Sequence, residues 1–258
     1  MKIVAFWVNL TFVAVISSYA FASPHWSHEE QEEWGAIEDI GKPLPLNYPF
    51  ADCAIGIHQS PVDLAGVEFD RKINKLMPRY PADMPAFYNS GHAIQINTSL
   101  DYAGYLAIGK ERFPLIQFHF HAPSEHVIDG KAFEAELHFV HVRDDGRMAV
   151  LGILIEVGEE NEMLQTILDH MPQEAGVENT ASQIKVNPAK LLPRHRQHFY
   201  TYAGSLTTPP CREGINWYVS TEPITVSEAQ LLQLKSFHTN NIRYPQPLNG
   251  RVIMTNDR

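Results

Sequence analysis

The run Phe118-His119-Phe120-His121 sets two imidazoles two residues apart, and the run Glu136-Leu137-His138-Phe139-Val140 carries a third. On a β-strand, successive side chains alternate faces. His119 and His121 would then share a face with Gln117, and Glu136, His138 and Val140 would share one on the second run. If the two strands are neighbours, three neutral imidazoles converge on one point. Catalytic zinc uses that ligand set, with a fourth position left open. Any one of these histidines alone reads as a hydrogen-bonded core residue; the three together, at this spacing, read as a metal site. Gln117 and Glu136 each stand two residues before a candidate ligand, where groups that orient metal-bound imidazoles belong. A solvent-facing carboxylate is the alternative for Glu136, and its apolar flanks oppose it. Phe118, Phe120, Leu137 and Phe139 would anchor the other face. No His-Glu-x-x-His occurs, so the helical metalloprotease pattern is absent. By alternation His141 points away from His138. Neither it nor His126 is assigned to metal, and His195 and His198, among Arg194 and Arg196, read as a solvated basic patch.

The elements that must hold these residues are mainly strands. Short runs at Val67–Phe69, Lys75–Tyr80, Ala86–Asn89, Ala93–Ile96, Tyr102–Ile108 and Glu111–His121 are each bounded by Gly, Pro, Asn or Asp. That spacing predicts a many-stranded antiparallel protein. Ala132–Val142 and Met148–Val157 follow, joined by a hairpin loop over residues 143–147, and Leu151–Ile155, apolar on both faces, belongs at the centre of the sheet. Ile215–Ser220 is a further strand. Two helices are expected. One runs from Glu160 to Met171, with Met163, Leu164, Ile167, Leu168 and Met171 on one stripe and Pro172 ending it. The other runs from Glu228 to Phe237 behind a Ser227 cap with Gln230 at the capping-box position, and Leu231, Leu232 and Leu234 face inward. Near the N-terminus, Ser27 would cap a short acidic helix over Glu29 to Glu38, Trp26 and Trp34 would pack onto the body, and Gly41 to Phe50 would be an extended arm or loop.

The chain has 258 residues, 44% of them hydrophobic, which allows a sizeable core. With no internal repeat, low-complexity tract or linker, one domain over residues 23–258 is expected. A formal charge of -10 argues against nucleic acid as a partner. Lys2, the apolar run Ile3 to Ile16 and the small-x-small signal Ala20-Phe21-Ala22 predict a signal peptide over residues 1–22 and an exported mature chain. A membrane anchor is the alternative, but the run is short for a bilayer span, and no later stretch could serve, so no anchor is expected after cleavage. Export to an oxidising compartment makes a Cys53–Cys211 disulfide the default, the alternative being two unpaired thiols. Closing so long a loop stabilises a fold by roughly 4–5 kcal/mol in the chain-entropy picture, less any strain. The 13 histidines are many for this length, and in an exported protein they add weight to zinc.

Three segments together resemble the α-class carbonic anhydrases: Gln117-Phe-His-Phe-His121-Ala-Pro-Ser-Glu-His126, Glu136-Leu-His138-Phe-Val-His141 and Gly204-Ser-Leu-Thr-Thr-Pro-Pro210. Gln59-Ser-Pro-Val62, Gly91-His92-Ala93, Ala149-Val-Leu-Gly152 and Asn216-Trp217 add to the likeness, which spans His25-Trp26 to Arg251. The resemblance is to bacterial periplasmic forms, and Cys53 and Cys211 stand where those carry their bridge. It implies a mainly β, single-domain fold: a large, twisted, mostly antiparallel sheet with short peripheral helices and a conical cleft. It implies that His119, His121 and His138 hold Zn²⁺, and that zinc-bound hydroxide converts CO₂ to bicarbonate. Thr207 would accept the hydroxide's proton in a hydrogen bond and donate its own to Glu125. Thr208 would line the substrate site, and Val140, Val150, Leu206, Ile215 and Trp217 would form an apolar wall, though without the resemblance these five read as ordinary core. His92 would shuttle the proton out, since an imidazole near pKa 6.5 takes and gives protons at neutrality; by itself, a His after a Gly reads as a turn residue. Ser90 and Gln95 would be polar lining. Bacterial members are often dimers, but no self-complementary surface is legible in the sequence. One departure stands out: many members follow the N-terminal Trp with a small residue and Tyr, whereas Trp26-Ser27 is followed here by His28, a candidate second proton carrier. Two other functions compete. A silent binding protein on the same fold would usually lack a zinc histidine, and all three are present. A zinc esterase is met by a wall that suits a small, non-dipolar substrate better.

Overall fold

Alternating apolar residues do build a sheet, and one irregularity in it decides which side chains face which way. The computed structural model describes residues 24–180 and 183–257; the expected signal peptide lies outside them. Among the described residues a 13-stranded sheet runs in the order Glu68–Phe69, Met254–Thr255, Phe199–Ser205, Glu213–Ser220, Met148–Val157, Ala135–Val142, Glu111–His121, Ile94–Asn97, Ala86–Asn89, Glu178–Asn179, with three further strands attached off this path. Its pairings are mostly antiparallel, but Met148–Val157 pairs in parallel with Glu213–Ser220 and with Ile224–Val226, and the edge strand Glu68–Phe69 is parallel to Met254–Thr255. Leu151–Ile155 is buried on both faces at the sheet centre, as expected.

One face carries the main core. Phe118, Phe120, Leu137, Phe139, Leu151 and Ile153 pack there under the two helices. The other face carries a smaller cluster that includes Val62, Leu64, Val140, Val150, Tyr202, Ile215, Trp217 and Val219. In the strand Glu111–His121, Phe113 and Leu115 are buried in the main core, yet so are Phe118 and Phe120, one position out of phase. A register shift between Leu115 and Gln117, opposite His141 and Val140, resolves the conflict. This bulge takes up one residue and reverses the alternation. Without it, His119 and His121 would share a face with Phe113. Thr98 holds the bulge: its N–H donates to Ile116 O at 3.1 Å, and its hydroxyl reaches the carbonyls of Leu115 and Ile116.

The helix Glu162–His170 is capped by Asn161, whose side chain accepts from the N–H groups of Met163 and Leu164, and its apolar stripe is buried. Glu228–Phe237 has the predicted capping box between Ser227 and Gln230. Leu231 and Leu234 face the core; Leu232 is exposed, contrary to expectation, because it falls off the buried stripe. No α-helix forms over 29–38. Two short 3₁₀ turns, His28–Glu30 and Trp34–Ala36, stand there, and the Ser27 hydroxyl meets the Glu30 carboxylate instead of capping a backbone N–H. Trp34, fully buried, anchors this arm, and burying an indole outweighs the local helix preference of an acidic segment. The Cys53–Cys211 disulfide joins the arm to the loop after Phe199–Ser205.

His141 lies in the main core, its Nδ1 3.1 Å from Ala149 O and its Nε2 2.7 Å from the Tyr80 hydroxyl. It is therefore neutral, donating from Nδ1 and accepting at Nε2. Burial pushes its pKa down to about 3, against the pull of the backbone carbonyls. An unfolded chain takes up this proton near pH 6.5, so the residue's contribution to stability is lost as pH falls from there toward the folded value. In urea unfolding, His141→Gln should flatten the dependence of stability on pH between about 6.5 and 4, by up to about 1.4 kcal/mol per pH unit. Equal slopes in wild type and variant would show that another group is responsible.

Candidate metal centre

The sheet register brings the three histidines together. His119 lies opposite His138 across the strand pair, His121 opposite Glu136, and Gln117 opposite Val140. One ligand nitrogen from each of His119, His121 and His138 lies within 4.8 Å of the others. Each ring is held by its other nitrogen. His119 Nδ1 donates to Gln117 Oε1 at 2.8 Å, and His138 Nε2 donates to Glu136 Oε1 at 2.8 Å, both as the spacing predicts. His121 Nδ1 donates to the backbone carbonyl of Asn241 at 2.6 Å, a partner on the distant C-terminal segment that no sequence spacing indicates. The free nitrogens are thus Nε2 of His119, Nε2 of His121 and Nδ1 of His138. His121 Nε2 is buried with no hydrogen-bond partner among the described residues. An orphaned buried nitrogen among two converging imidazoles fits a divalent metal. Burial, then the imidazoles of His121 and His138, holds His119 well below its ordinary pKa, in the neutral form a ligand needs.

Glu136 is the most heavily committed side chain here. Its Oε1 accepts from His138 Nε2 and from His126 Nδ1 at 2.7 Å, and its Oε2 accepts the backbone N–H of Glu125 at 3.0 Å and of His126 at 2.8 Å. Burial alone pushes the carboxyl up. The His126 and His138 imidazoles, with the hydrogen bonds they donate, outweigh burial and hold it well below the usual carboxylate range. His126, which the sequence left without a role, belongs to this constellation. Its neighbour in sequence, Glu125, accepts the Arg243 backbone N–H at Oε1, 2.8 Å away. Glu125 Oε2 lies 3.5 Å from His121 Nε2 and 3.8 Å from His138 Nδ1, buried and without a hydrogen-bond partner among the described residues. The bond expected from Thr207 to Glu125 is therefore not formed at that oxygen, although Thr207 is buried. Arg243 in turn donates to Gln59 Oε1, Ser60 O and Cys53 O, which ties the arm to the site. Burial brings its guanidinium down to about 10, still charged at neutrality.

The five residues expected as an apolar wall come together in the smaller cluster. Val140, Val150 and Trp217 lie side by side across three strands, one row from His119 and His138. Leu206 and Thr208 are half-buried on the segment that follows Ser205. His92 stands on a turn whose Ser90 hydroxyl bonds Ala93 O and accepts the N–H groups of His92 and Ala93. Its ring stacks on Trp26 with centroids 3.8 Å apart, and burial, then His25, lowers its pKa. Asn241 Nδ2 donates to His92 O at 3.0 Å, so one residue braces both the His121 ring and the His92 turn. Gln95 is half-buried and donates to Asn97, directly across from His119 in the register. His28 lies 6.0 Å from His92 between ring centroids; burial, then His121, His92 and His238, push its pKa down to about 3. A group that is neutral throughout the physiological range does not store a proton, which counts against His28 as a second carrier.

The arrangement sets a cluster of three histidines that could hold a metal ion on the face of a large, mainly antiparallel sheet. A family model described as "Eukaryotic-type carbonic anhydrase" matches residues 44–257. The carbonic anhydrase of Nostoc sp. is 38% identical over 228 residues, covering 86% of this chain and 85% of that protein. Dioscorin DB3L of Dioscorea polystachya is 36% identical over 261 residues, covering 95% of this chain and 94% of that one. The structure of the α-carbonic anhydrase from Thermovibrio ammonificans with sulfanilamide superposes with a TM-score of 0.81 at 37% identity, over 90% of this chain and 100% of that chain. The chain belongs to the eukaryotic-type, or α, carbonic anhydrase family.

Gly152 lies directly across from His138, and a Cβ built on it would stand 2.9 Å from Glu136 Oε1. Four donors pin that carboxylate, so it cannot yield cheaply. Gly152→Ala should weaken metal retention by about tenfold, as losses at groups that orient ligands do. Equilibrium dialysis against a chelator would measure this, and unchanged retention would show that Glu136 has room to move.

Proposed function

We propose that the chain is an exported enzyme that interconverts CO₂ and bicarbonate on a zinc ion held by His119, His121 and His138. The observation that carries the ligand assignment is the pairing of each ring's other nitrogen with Gln117, Asn241 or Glu136, which leaves one nitrogen of each ring free and the three convergent. When bound, zinc acidifies water, so that hydroxide is available at neutral pH. The protein's own groups do the rest. Glu125 Oε2, buried and without a hydrogen-bond partner among the described residues, is free to accept from the Thr207 hydroxyl, a bond not formed in this structure, and that pair would orient the nucleophile beside the ion. Val140, Val150, Leu206, Ile215 and Trp217 exclude water and offer CO₂, which has no net dipole, a surface without competing hydrogen bonds. Thr208 borders the same space. His92, on the turn braced by Asn241, takes the released proton toward solvent, as an imidazole can at neutrality. Export is supported by the Cys53–Cys211 disulfide and by the signal expected over residues 1–22.

Stopped-flow CO₂ hydration and metal analysis on one sample of the mature chain test this reading. We expect one zinc per chain and rapid hydration. His138→Ala should lose both, and a variant that keeps zinc and full activity would show the ligand set to be wrong. His92→Ala should turn over about tenfold or more slowly in weak buffer and recover when imidazole is added, in line with the worth of a positioned proton carrier. An unchanged rate in weak buffer would take His92 out of the shuttle role.

A further inference from the structure

A buried chain of polar groups runs from the far side of the smaller cluster to the ligand His138. Ser60 and Ser205 exchange bonds: Ser60 N donates to Ser205 Oγ at 2.9 Å, and Ser205 N donates to Ser60 Oγ at 3.0 Å. Ser60 Oγ bonds the Tyr202 hydroxyl at 2.9 Å, and that hydroxyl lies 2.7 Å from His126 Nε2. His126 Nδ1 then meets Glu136 Oε1, which His138 Nε2 shares. All six residues are buried.

Proton counting shows what the chain does. A phenol has one proton, so Tyr202 donates either to His126 or to Ser60. In the first case His126 is neutral with its proton on Nδ1; in the second it carries protons on both nitrogens. Either way Nδ1 faces a carboxylate oxygen that has no proton to give, and Nδ1 must donate. The Tyr202 hydroxyl is therefore the group that keeps the His126 ring aimed at Glu136. Without it, Nε2 is a buried polar atom with no partner, a state costly enough to move or flip a ring. Glu136 would lose one of the donors on the oxygen it shares with His138.

We propose that Tyr202 is a positioning residue for the metal centre, acting through His126 and Glu136 to hold His138 with Nδ1 toward the ion. The inference rests on the reading of His119, His121 and His138 as zinc ligands. Tyr202→Phe removes one oxygen and keeps the ring that stacks parallel to Trp217 at 6.3 Å.

Transfer of zinc from the loaded protein to excess chelator provides the test. Tyr202→Phe should release zinc about threefold to tenfold faster than wild type, short of the tenfold to hundredfold expected for Glu136→Gln, a direct partner of the ligand. In the Glu136→Gln background, adding Tyr202→Phe should change the rate by less than about twofold, because the path is already cut. The low-field imidazole N–H signals of His126 and His138 in proton NMR should move in Tyr202→Phe and stay in place in Ile253→Val, a packing change in the same cluster. Unchanged or slower release from Tyr202→Phe would overturn the proposal. So would equal losses in both backgrounds, or still imidazole signals, since those are the marks of packing alone. If wild type binds no stoichiometric zinc while unfolding cooperatively on heating, the ligand assignment itself fails, and the role of Tyr202 falls with it.

Discussion

A carboxylate removed from water must be met by donors on every side, and Glu136 is such a carboxylate. Two imidazoles and two backbone N–H groups converge on it. Much of the site follows from satisfying that charge. The two N–H donors come from Glu125 and His126, so the turn after the His121 strand must fold back over Glu136, and this delivers Glu125 to the ligands. The imidazole donors are His138, whose ring is thereby aimed, and His126, whose far nitrogen draws Tyr202 and Ser60 into line. Gly152 leaves room for the carboxylate beside His138. Structural and chemical demands meet in one side chain.

The second constraint is the phase of the strand that carries His119 and His121. A strand this long, packed on one core, would keep a single alternation from end to end. Its first half puts Phe113 and Leu115 into the main core, and its second half puts Phe118 and Phe120 there. The bulge braced by Thr98 reconciles the two, and its result is a polar, metal-ready face on a strand that begins with the opposite phase. The rim is built by parts remote in sequence. Asn241 bonds the His121 ring through its carbonyl and the His92 turn through its amide, and Arg243 connects Glu125 with the arm next to Cys53. Tertiary closure of the C-terminal segment thus completes both the proposed metal centre and the proposed proton exit.

Residue types and period made much of this legible in advance. The His-x-His spacing, the third histidine on a second alternating run, and Gln117 and Glu136 two residues before their ligands are local facts, because strand alternation acts between neighbours in sequence. The strands Ala86–Asn89, Glu111–His121 and Met148–Val157 and the capped helix at Ser227 are legible for the same reason. The acidic stretch after Ser27 is the counter-example: local signals favour a helix, and the burial of Trp34 decides otherwise.

What the sequence by itself determined, then, is the chemistry available: which side chains can ligate, which can orient, and which segments alternate so as to share a face. The tertiary structure alone decided how the rings are completed. Asn241 for His121, His126 and Tyr202 behind Glu136, and Arg243 behind Glu125 are partners separated by ten to more than a hundred residues. No spacing rule reaches across such distances. A hydrogen bond between remote segments exists only once the sheet has set their backbones side by side, and the choice of partner follows from which buried polar atom would otherwise have none.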